Sequence, residues 1–325
     1  MRSVTYNNYP RMRFGFGLFL AFLMLAGCSE TEPEIDPGVE ARRAERADRT
    51  IEIVYPEWSS EIASAHLFQA VLQERLGYRV ELRAVDIETM WRDVAEGNAD
   101  VLLGAWLPVT HEQYYDEYGS DVVDLGPNLD GARIGLVVPS HTPSRQSEGS
   151  GRTGRSLVTT ESIPELADNP QRFGRRVVGI ESGAGVVQRA REAIDHYGLL
   201  SFRVSESDER RMVSELSGAV NRDEWIVVTG WSPHWMWERH SVSFLEDPDG
   251  VFGGEEQIHT MVREGFEDDE PDAYEVLDRI RYEPRDLERI MLWIHDDETG
   301  DDYGQALRWI ETNRSTVDGW VEGVE

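Results

Sequence analysis

The amino-acid sequence predicts an α/β protein of two lobes with a ligand cleft between them. Short apolar runs alternate with segments whose apolar residues recur every three or four positions, which predicts strands separated by helices in parallel β-α-β units. Such a series occurs on both sides of a stretch rich in Ser, Gly and Arg, and the chain then ends in a helical region. A chain of 325 residues is long enough for two lobes.

The first series starts with a compact apolar strand that contains Ile51 and Ile53. In the next segment the apolar residues are spaced three or four positions apart, which predicts a helix, and Gly77 is expected to end it; they are Ile62, Ala65, Phe68, Leu72 and Leu76. A strict alternation of apolar and polar residues follows, which is typical of a strand. The elements predicted here are strands at 50–55, 79–85 and 99–103 and helices at 60–76 and 87–96.

The second series and the C-terminal region complete the two predicted lobes. We assign lobe I to residues 50–136 and 256–325, lobe II to residues 137–255, and a surface insertion to residues 144–155. The elements predicted here are strands at 132–139, 176–180 and 226–229 and helices at 185–197, 208–216, 272–280, 284–294 and 303–312.

The N-terminus has the composition of a targeting segment. Three arginines precede an apolar run at 14–25 that is too short to span a bilayer comfortably. The run closes as Leu-Ala-Gly-Cys, which resembles the lipobox of bacterial lipoproteins. The resemblance implies that residues 1–28 are a signal peptide and that Cys28 is lipidated; the alternative is a free thiol. Cys28 is the one cysteine of the chain, so no intrachain disulfide can form.

Residues 29–49 are polar and charged and contain almost no large apolar side chain. This composition predicts a flexible tether that holds the folded part close to a membrane. Together with the signal peptide it predicts an extracytoplasmic protein attached to the membrane through an N-terminal lipid.

The chain is strongly acidic, with 62 Asp and Glu against 32 basic residues and a net charge of -30. All the basic residues are arginines. Such a charge repels nucleic acid and anionic lipid headgroups, so we expect neither as a partner. It indicates either an ordinary solvated surface or a halophilic protein, whose self-repulsion is screened by salt. The spread of the acidic excess along the whole chain favours the halophilic interpretation.

Three of the ten tryptophans follow predicted strands directly. Trp58, Trp106 and Trp231 come two or three residues after strand ends, where parallel α/β sheets bind their ligands. One such tryptophan is usually a packing residue, but three at equivalent strand ends indicate a shared crevice. Aromatic faces around a crevice attract cations, above all quaternary ammonium groups. The tryptophans predicted to be core or packing residues instead are Trp91, Trp225, Trp293, Trp309 and Trp320.

Two further features could serve an anionic group. Gly183-Ala184-Gly185-Val186 joins a strand to a helix, which indicates either a plain glycine turn or an anion site at a helix N-terminus. His111 follows Trp106 closely and is either a surface residue or a contact in the same crevice. The histidines show no zinc-ligand spacing and the chain has no catalytic-triad motif, so we expect no metal, no cofactor and no enzyme.

These residues lie in motifs that resemble the glycine betaine-binding proteins of ABC importers. The most specific motifs are Gly-Trp-Ser-Pro-His-Trp around Trp231 and Ala-Trp-Leu-Pro around Trp106. The resemblance implies a two-lobed fold like that of periplasmic binding proteins and an ABC permease as partner. It also implies that Trp58, Trp106 and Trp231 enclose the trimethylammonium group. The residues that it implies for the ligand carboxylate are His111 and the backbone amides of Gly185 and Val186.

Other ligands and functions remain open from the sequence. Ser59 stands where the family often has Asp, which leaves choline, carnitine or proline betaine as alternative ligands of the same cage. A secreted hydrolase that uses His111 as base would need a nucleophile, and no motif supplies one. A purely structural lipoprotein would not explain the aromatic strand ends.

Overall fold

A mixed β-sheet extends through the protein and joins its two halves. The computed structural model describes residues 37–140 and 158–324, which form one compact unit and contain nine strands in the order β2-β1-β3-β9-β4-β7-β5-β6, with β8 paired to β4. The predicted signal peptide with Cys28 and the whole of the predicted insertion lie outside these residues. The strands are β1 (Thr50–Tyr55), β2 (Arg79–Ala84), β3 (Val101–Leu107), β4 (Val122–Pro139), β5 (Arg176–Val178), β6 (Arg203–Ser205), β7 (Val228–Ser232), β8 (Val242–Phe244) and β9 (Glu256–Arg263).

Strand β4 is the connection between the halves. Its residues up to Ala132 pair antiparallel with β9, and those from Arg133 onward pair antiparallel with β7. On one side β1, β2 and β3 run parallel, and on the other β5, β6 and β7 run parallel. We call these the first and second half-sheets. This architecture is the predicted α/β fold of two lobes.

Helices cover both half-sheets. Helix α2 continues into a π-helical turn, Leu72–Leu76, and ends at Gly77, whose φ of 85° is accessible to glycine without strain. The helices are α1 (Pro37–Arg46), α2 (Ser59–Val71), α3 (Ile87–Ala95), α4 (Glu112–Tyr118), α5 (Gly185–His196), α6 (Glu209–Arg222), α7 (Met236–Arg239), α8 (Phe266–Asp269), α9 (Pro271–Arg279), α10 (Pro284–Asp296), α11 (Asp302–Thr312) and α12 (Arg314–Val321).

The elements predicted from periodicity are confirmed, and most of their ends shift by a few residues. The exceptions are β4, which begins at Val122 instead of residue 132, and α6, which continues to Arg222 instead of residue 216. The predicted core tryptophans Trp91 and Trp309 are almost fully buried, at 0% and 1% exposure. Trp293 is only partly buried; it packs against the core, and the guanidinium of Arg308 lies 4.0 Å over its ring. Strand β9, which no prediction included, lies in the middle of the sheet between β3 and β4.

The predicted tether is wrong in its second half, because residues 37–46 form helix α1. Arg46 at the end of this helix is 4% exposed. Its guanidinium donates to Asp272 and to the carbonyls of Leu76 and Val324. A charged side chain with that many partners fixes the helix to the folded part, although its composition is polar. In the described part of the chain, no helix has both the length and the apolar character that a membrane span requires.

Candidate functional site

A small, largely apolar cavity of about 30 Å³ lies where the two half-sheets face each other. All six residues that the sequence predicts for ligand binding line it. The lining residues are Trp58, Ser60, Trp106, Thr110, His111, Ile134, Ile180, Ala184, Gly185, Val186 and Trp231. We refer to Trp58, Trp106 and Trp231 as the cage tryptophans.

The first cage tryptophan precedes helix α2. Trp58 is the N-cap residue of that helix and is 8% exposed. An indole has no hydrogen-bond acceptor for the free backbone amides of the first helical turn, so another residue must supply the acceptor. It comes from the second half-sheet, where the carboxylate of Glu209 on α6 accepts from the amide of Ser59 at 2.9 Å. This contact joins the halves beside the cavity.

The other two cage tryptophans lie inside strands, which corrects their prediction as loop residues. Trp106 belongs to β3 because it pairs with Ile258 of β9, and Trp231 belongs to β7 because it pairs with Ile134 of β4. Both sit at the carboxyl ends of their strands and are 4% exposed. The rule that ligands bind at strand ends therefore located them correctly, although their backbone is not a loop.

His111 is buried at 1% exposure with one nitrogen occupied and one free. Its Nδ1 accepts from the backbone amide of Trp106 at 3.1 Å, so the neutral ring carries its proton on Nε2. No residue in the described part of the chain is a hydrogen-bond partner of Nε2. Burial lowers the pKa of His111 to about 3, against a smaller opposing effect of the Gly104 backbone, so the ring stays neutral. It can offer one N–H to an acceptor in the cavity.

The N-terminus of helix α5 faces the same cavity. The amides of Val187 and Gln188 donate to the carbonyl of Ala184, whereas those of Gly185 and Val186 have no backbone acceptor within residues 37–140 and 158–324. A Cβ at position 185 would overlap the carbonyl of Thr110, so only glycine allows this approach between the halves. Two free amides at a positive helix end are suited to an anion.

Three carboxylates that the sequence analysis did not identify support these residues. Trp106 donates through Nε1 to Glu61 at 3.3 Å, and Trp58 donates through Nε1 to Glu181. Glu256 accepts from the amides of Val109 and Thr110 at 2.7 and 2.8 Å and so fixes the loop between Trp106 and His111. Glu61 and Glu256 lie in segments that resemble the glycine betaine-binding family, but nothing in the sequence distinguishes any of the three carboxylates from the many exposed acids.

The motif around Trp231 builds the contact between the halves. His234 is fully buried, packs edge-on against Trp231 at 4.8 Å and bonds Glu209 at 2.9 Å. Burial acts to raise the pKa of Glu209, but its interaction with His234 and the hydrogen bonds that Ser59 donates outweigh it, so the pKa is lowered and Glu209 is ionised. Trp235 donates to Ser59 Oγ at 3.1 Å. Glu209 thereby links both halves behind the cage.

The cavity thus offers aromatic surface for a cation and three N–H donors for an anion. In residues 37–140 and 158–324 no group of three or more His, Cys, Asp or Glu side chains is arranged to hold a metal. The described donors of the cavity are neutral, so the arrangement suits a small zwitterion better than an ion of one sign.

Comparisons with known proteins agree with this geometry. Residues 49–312 match the family model described as the substrate binding domain of an ABC-type glycine betaine transport system. The chain is similar to the glycine betaine/carnitine transport binding protein GbuC of Listeria monocytogenes, with 36% identity over 174 residues. That match covers 53% of this chain and 56% of the Listeria protein, so it spans little more than half of the relative's length.

Two solved structures are similar over most of the chain. Lactococcal OpuAC in its closed conformation with glycine betaine has 34% identity and a TM-score of 0.76, covering 85% of this chain and 100% of that one. The glycine betaine/L-proline-binding protein ProX of Borrelia burgdorferi has 32% identity and a TM-score of 0.76, covering 85% and 97%. The chain therefore belongs to the family of substrate-binding domains of ABC-type glycine betaine transport systems.

Proposed function

We propose that this protein captures glycine betaine in the cavity between its half-sheets and delivers it to an ABC permease. The observation that carries the proposal is the meeting of three buried indoles with the unpartnered Nε2 of His111 and the N-terminus of α5 in one cavity. A betaine has one apolar cationic end and one anionic end, and the cavity has a surface for each.

The cage tryptophans bind the trimethylammonium group. This cation has no N–H, so it needs no hydrogen-bond acceptors and is stabilised by the electron-rich faces of aromatic rings. Each ring contributes about 0.5–2 kcal/mol. Two rings come from the first half-sheet and one from the second, so full contact requires the halves to be closed around the ligand.

His111 and the amides of Gly185 and Val186 bind the carboxylate. Because the pKa of His111 is lowered to about 3, its ring donates as a neutral N–H over the whole physiological range. Each hydrogen bond to the carboxylate contributes about 1.5–3 kcal/mol. After the costs of association, the two sets of contacts leave a net of about 8 kcal/mol, equivalent to a micromolar dissociation constant.

Choline, carnitine and proline betaine are the alternative ligands. Carnitine and proline betaine keep both charged groups, whereas choline has a hydroxyl in place of the carboxylate and cannot use the helix N-terminus as an anion does. A hydrolase is disfavoured, because His111 Nδ1 is occupied by the Trp106 amide and Thr110 Oγ1 is bonded to Glu256 instead of His111.

The extracytoplasmic location follows from the role of the family in import. We infer that Cys28 carries the lipid that keeps the protein at the membrane. The permease is the partner to which the closed protein delivers its ligand.

Calorimetric titration of the purified protein with glycine betaine, carnitine and choline tests the proposal. We expect a micromolar dissociation constant for glycine betaine and an affinity for choline on the order of a hundredfold weaker, because choline forgoes two charge-assisted hydrogen bonds. Trp309→Ala is the control variant, since Trp309 is buried and does not line the cavity. Choline binding as tightly as betaine would contradict the carboxylate site, and no binding of any of the three would refute the function.

A further inference from the structure

A buried carboxylate without a cationic partner lies directly behind the cage. Glu61, in the first turn of α2, is 2% exposed and its Oε1 accepts the indole N–H of Trp106 at 3.3 Å. Within residues 37–140 and 158–324 Glu61 takes part in no salt bridge. Buried carboxylates are normally paired with a cation, so this one needs an explanation.

The sequence makes room for this carboxylate at one position. A Cβ at position 104 would overlap the carboxyl group of Glu61, so Glu61 occupies the space that a side chain at this position would take. Gly104 and Trp106 lie two residues apart on β3, and both are in contact with Glu61, which occupies the space of a Cβ at position 104 and accepts the indole N–H of Trp106. The carboxyl group is thereby held at the indole nitrogen of Trp106, a residue that lines the cavity.

The groups around Glu61 leave its charge uncompensated. They are Trp106 on β3, Ser60 on its own helix, and Tyr282 from the segment before α10, whose hydroxyl bonds Ser64 at 2.9 Å. Across the cavity the titratable neighbours are His111, which its lowered pKa keeps neutral, and Glu181, which accepts the indole N–H of Trp58 and whose pKa is raised by burial. Burial raises the pKa of Glu61 to about 7, opposed in part by its bond to Trp106. A bound cation would favour the ionised form.

We infer that Glu61 is the counter-charge for the ammonium group and that it sets how strongly the site favours ligands with a net positive charge. The inference rests on the proposed function and deepens it. An ionised Glu61 attracts the ammonium through the low-dielectric interior and makes the Trp106 ring more electron-rich. It also repels a ligand carboxylate, so choline gains more from it than a zwitterion does.

The test replaces Glu61 with glutamine, which keeps an acceptor for the Trp106 N–H and removes the charge. At pH 8 we expect Glu61→Gln to weaken choline binding roughly thirtyfold and betaine binding roughly fivefold. Glu57→Gln is the matched control, because Glu57 is exposed beside Trp58 and its charge is screened by solvent. We expect it to leave both affinities unchanged.

Two further measurements separate this role from a structural one. For the unmodified protein, choline affinity should fall as the pH drops from 8 to 5.5 and Glu61 takes up a proton. Glu61→Gln should lose most of this fall and keep only the smaller part that Glu181, the acceptor of the Trp58 indole, contributes. Glu61→Gln should also melt at a higher temperature than the unmodified protein at pH 8 without ligand, because an unpaired buried charge is gone. A purely structural residue would lower the melting temperature and weaken both ligands equally.

The outcomes distinguish this inference from the proposed function. Normal betaine and choline affinities in Glu61→Gln would overturn the inference and leave the function intact. Equal losses for both ligands together with a lower melting temperature would overturn it as well. If the unmodified protein binds neither ligand, the proposed function fails and the inference fails with it.

Discussion

Replacing His111 with asparagine should remove the side-chain donor to the ligand carboxylate while keeping the local fold. Asparagine Oδ1 occupies nearly the place of histidine Nδ1, so it can still accept from the amide of Trp106, which lies 3.1 Å from Nδ1. The atom lost is Nε2, which is buried and has no hydrogen-bond partner in the described part of the chain. Because water has little access to replace it, the loss should be that of one hydrogen bond to a charged group, about 1.5–3 kcal/mol.

That loss corresponds to a rise of roughly 10- to 150-fold in the dissociation constant for glycine betaine. Choline has no carboxylate, so its dissociation constant should change by less than about threefold. His111→Gln is the complementary variant, because its terminal amide nitrogen can reach the position of Nε2 and restore the donor. We expect it to recover most of the affinity for betaine, although the Trp106 amide then loses its acceptor.

Calorimetric titration of the three proteins with both ligands provides the assay, and circular dichroism verifies that each variant is folded. A folded His111→Asn protein that binds betaine with unchanged affinity would refute the assignment of Nε2 to the carboxylate. Equal losses for betaine and choline would show that His111 supports the cage through its contacts with Trp58 and Trp91, whose rings lie 6.4 and 6.3 Å away.

Three further predictions concern the cage, the contact between the halves and stability. Alanine at any one cage tryptophan should weaken betaine binding to the folded protein about two- to thirtyfold, the loss of one ring worth about 0.5–2 kcal/mol. Trp309→Ala should leave the affinity of the folded protein unchanged and cost about 3–5 kcal/mol of stability, measured by urea unfolding. Glu209→Gln should weaken betaine binding, because Ser59 then loses an ionised hydrogen-bond partner in the other half of the protein. Small-angle scattering of the liganded variant should indicate a more open form. Unchanged scattering and unchanged affinity would contradict this prediction. His111 takes up a proton near pH 6.5 in the unfolded chain but only near pH 3 in the folded protein. The free energy of unfolding should therefore fall as the pH drops from about 6.5 to about 3. His111→Asn should lose this part of the pH dependence.

The lipid anchor has its own test. Mass spectrometry of the native protein should show a diacylated N-terminal cysteine derived from Cys28, whereas a mature protein that still begins at Met1 would contradict the lipobox interpretation.

The residues that line the cavity could be predicted to a large extent, because they follow rules that are local in sequence. A tryptophan after an apolar strand, or a glycine turn before an amphipathic helix, specifies its own place at the edge of a parallel sheet. That is why all six predicted ligand-binding residues line one cavity. The predicted backbone at Trp106 and Trp231 was wrong because both pair with distant strands, which extends β3 and β7 beyond their apolar runs.

The supporting residues could not be predicted, because their roles depend on burial and distant partners. Glu61 and Glu209 look like any other glutamate in a chain of net charge -30, yet they are 2% and 7% exposed. Arg46 likewise belongs to a polar segment that composition assigns to a tether, and it is fixed by Asp272, 226 residues later. The composition of a segment indicates the usual environment of its residue types. It cannot indicate which distant residue a given side chain contacts after folding.

The sequence by itself determined the α/β alternation, the aromatic and glycine positions at the strand ends and, through its motifs, the family. The tertiary structure decided that β9 lies between β3 and β4, that Glu209 of one half caps helix α2 of the other, and that a carboxylate lies unpaired behind Trp106. The physical reason is that periodicity and turn chemistry act over a few neighbouring residues. Burial, by contrast, and with it the tautomer of His111 and the charge of Glu61, depends on segments that meet only when the whole chain has folded.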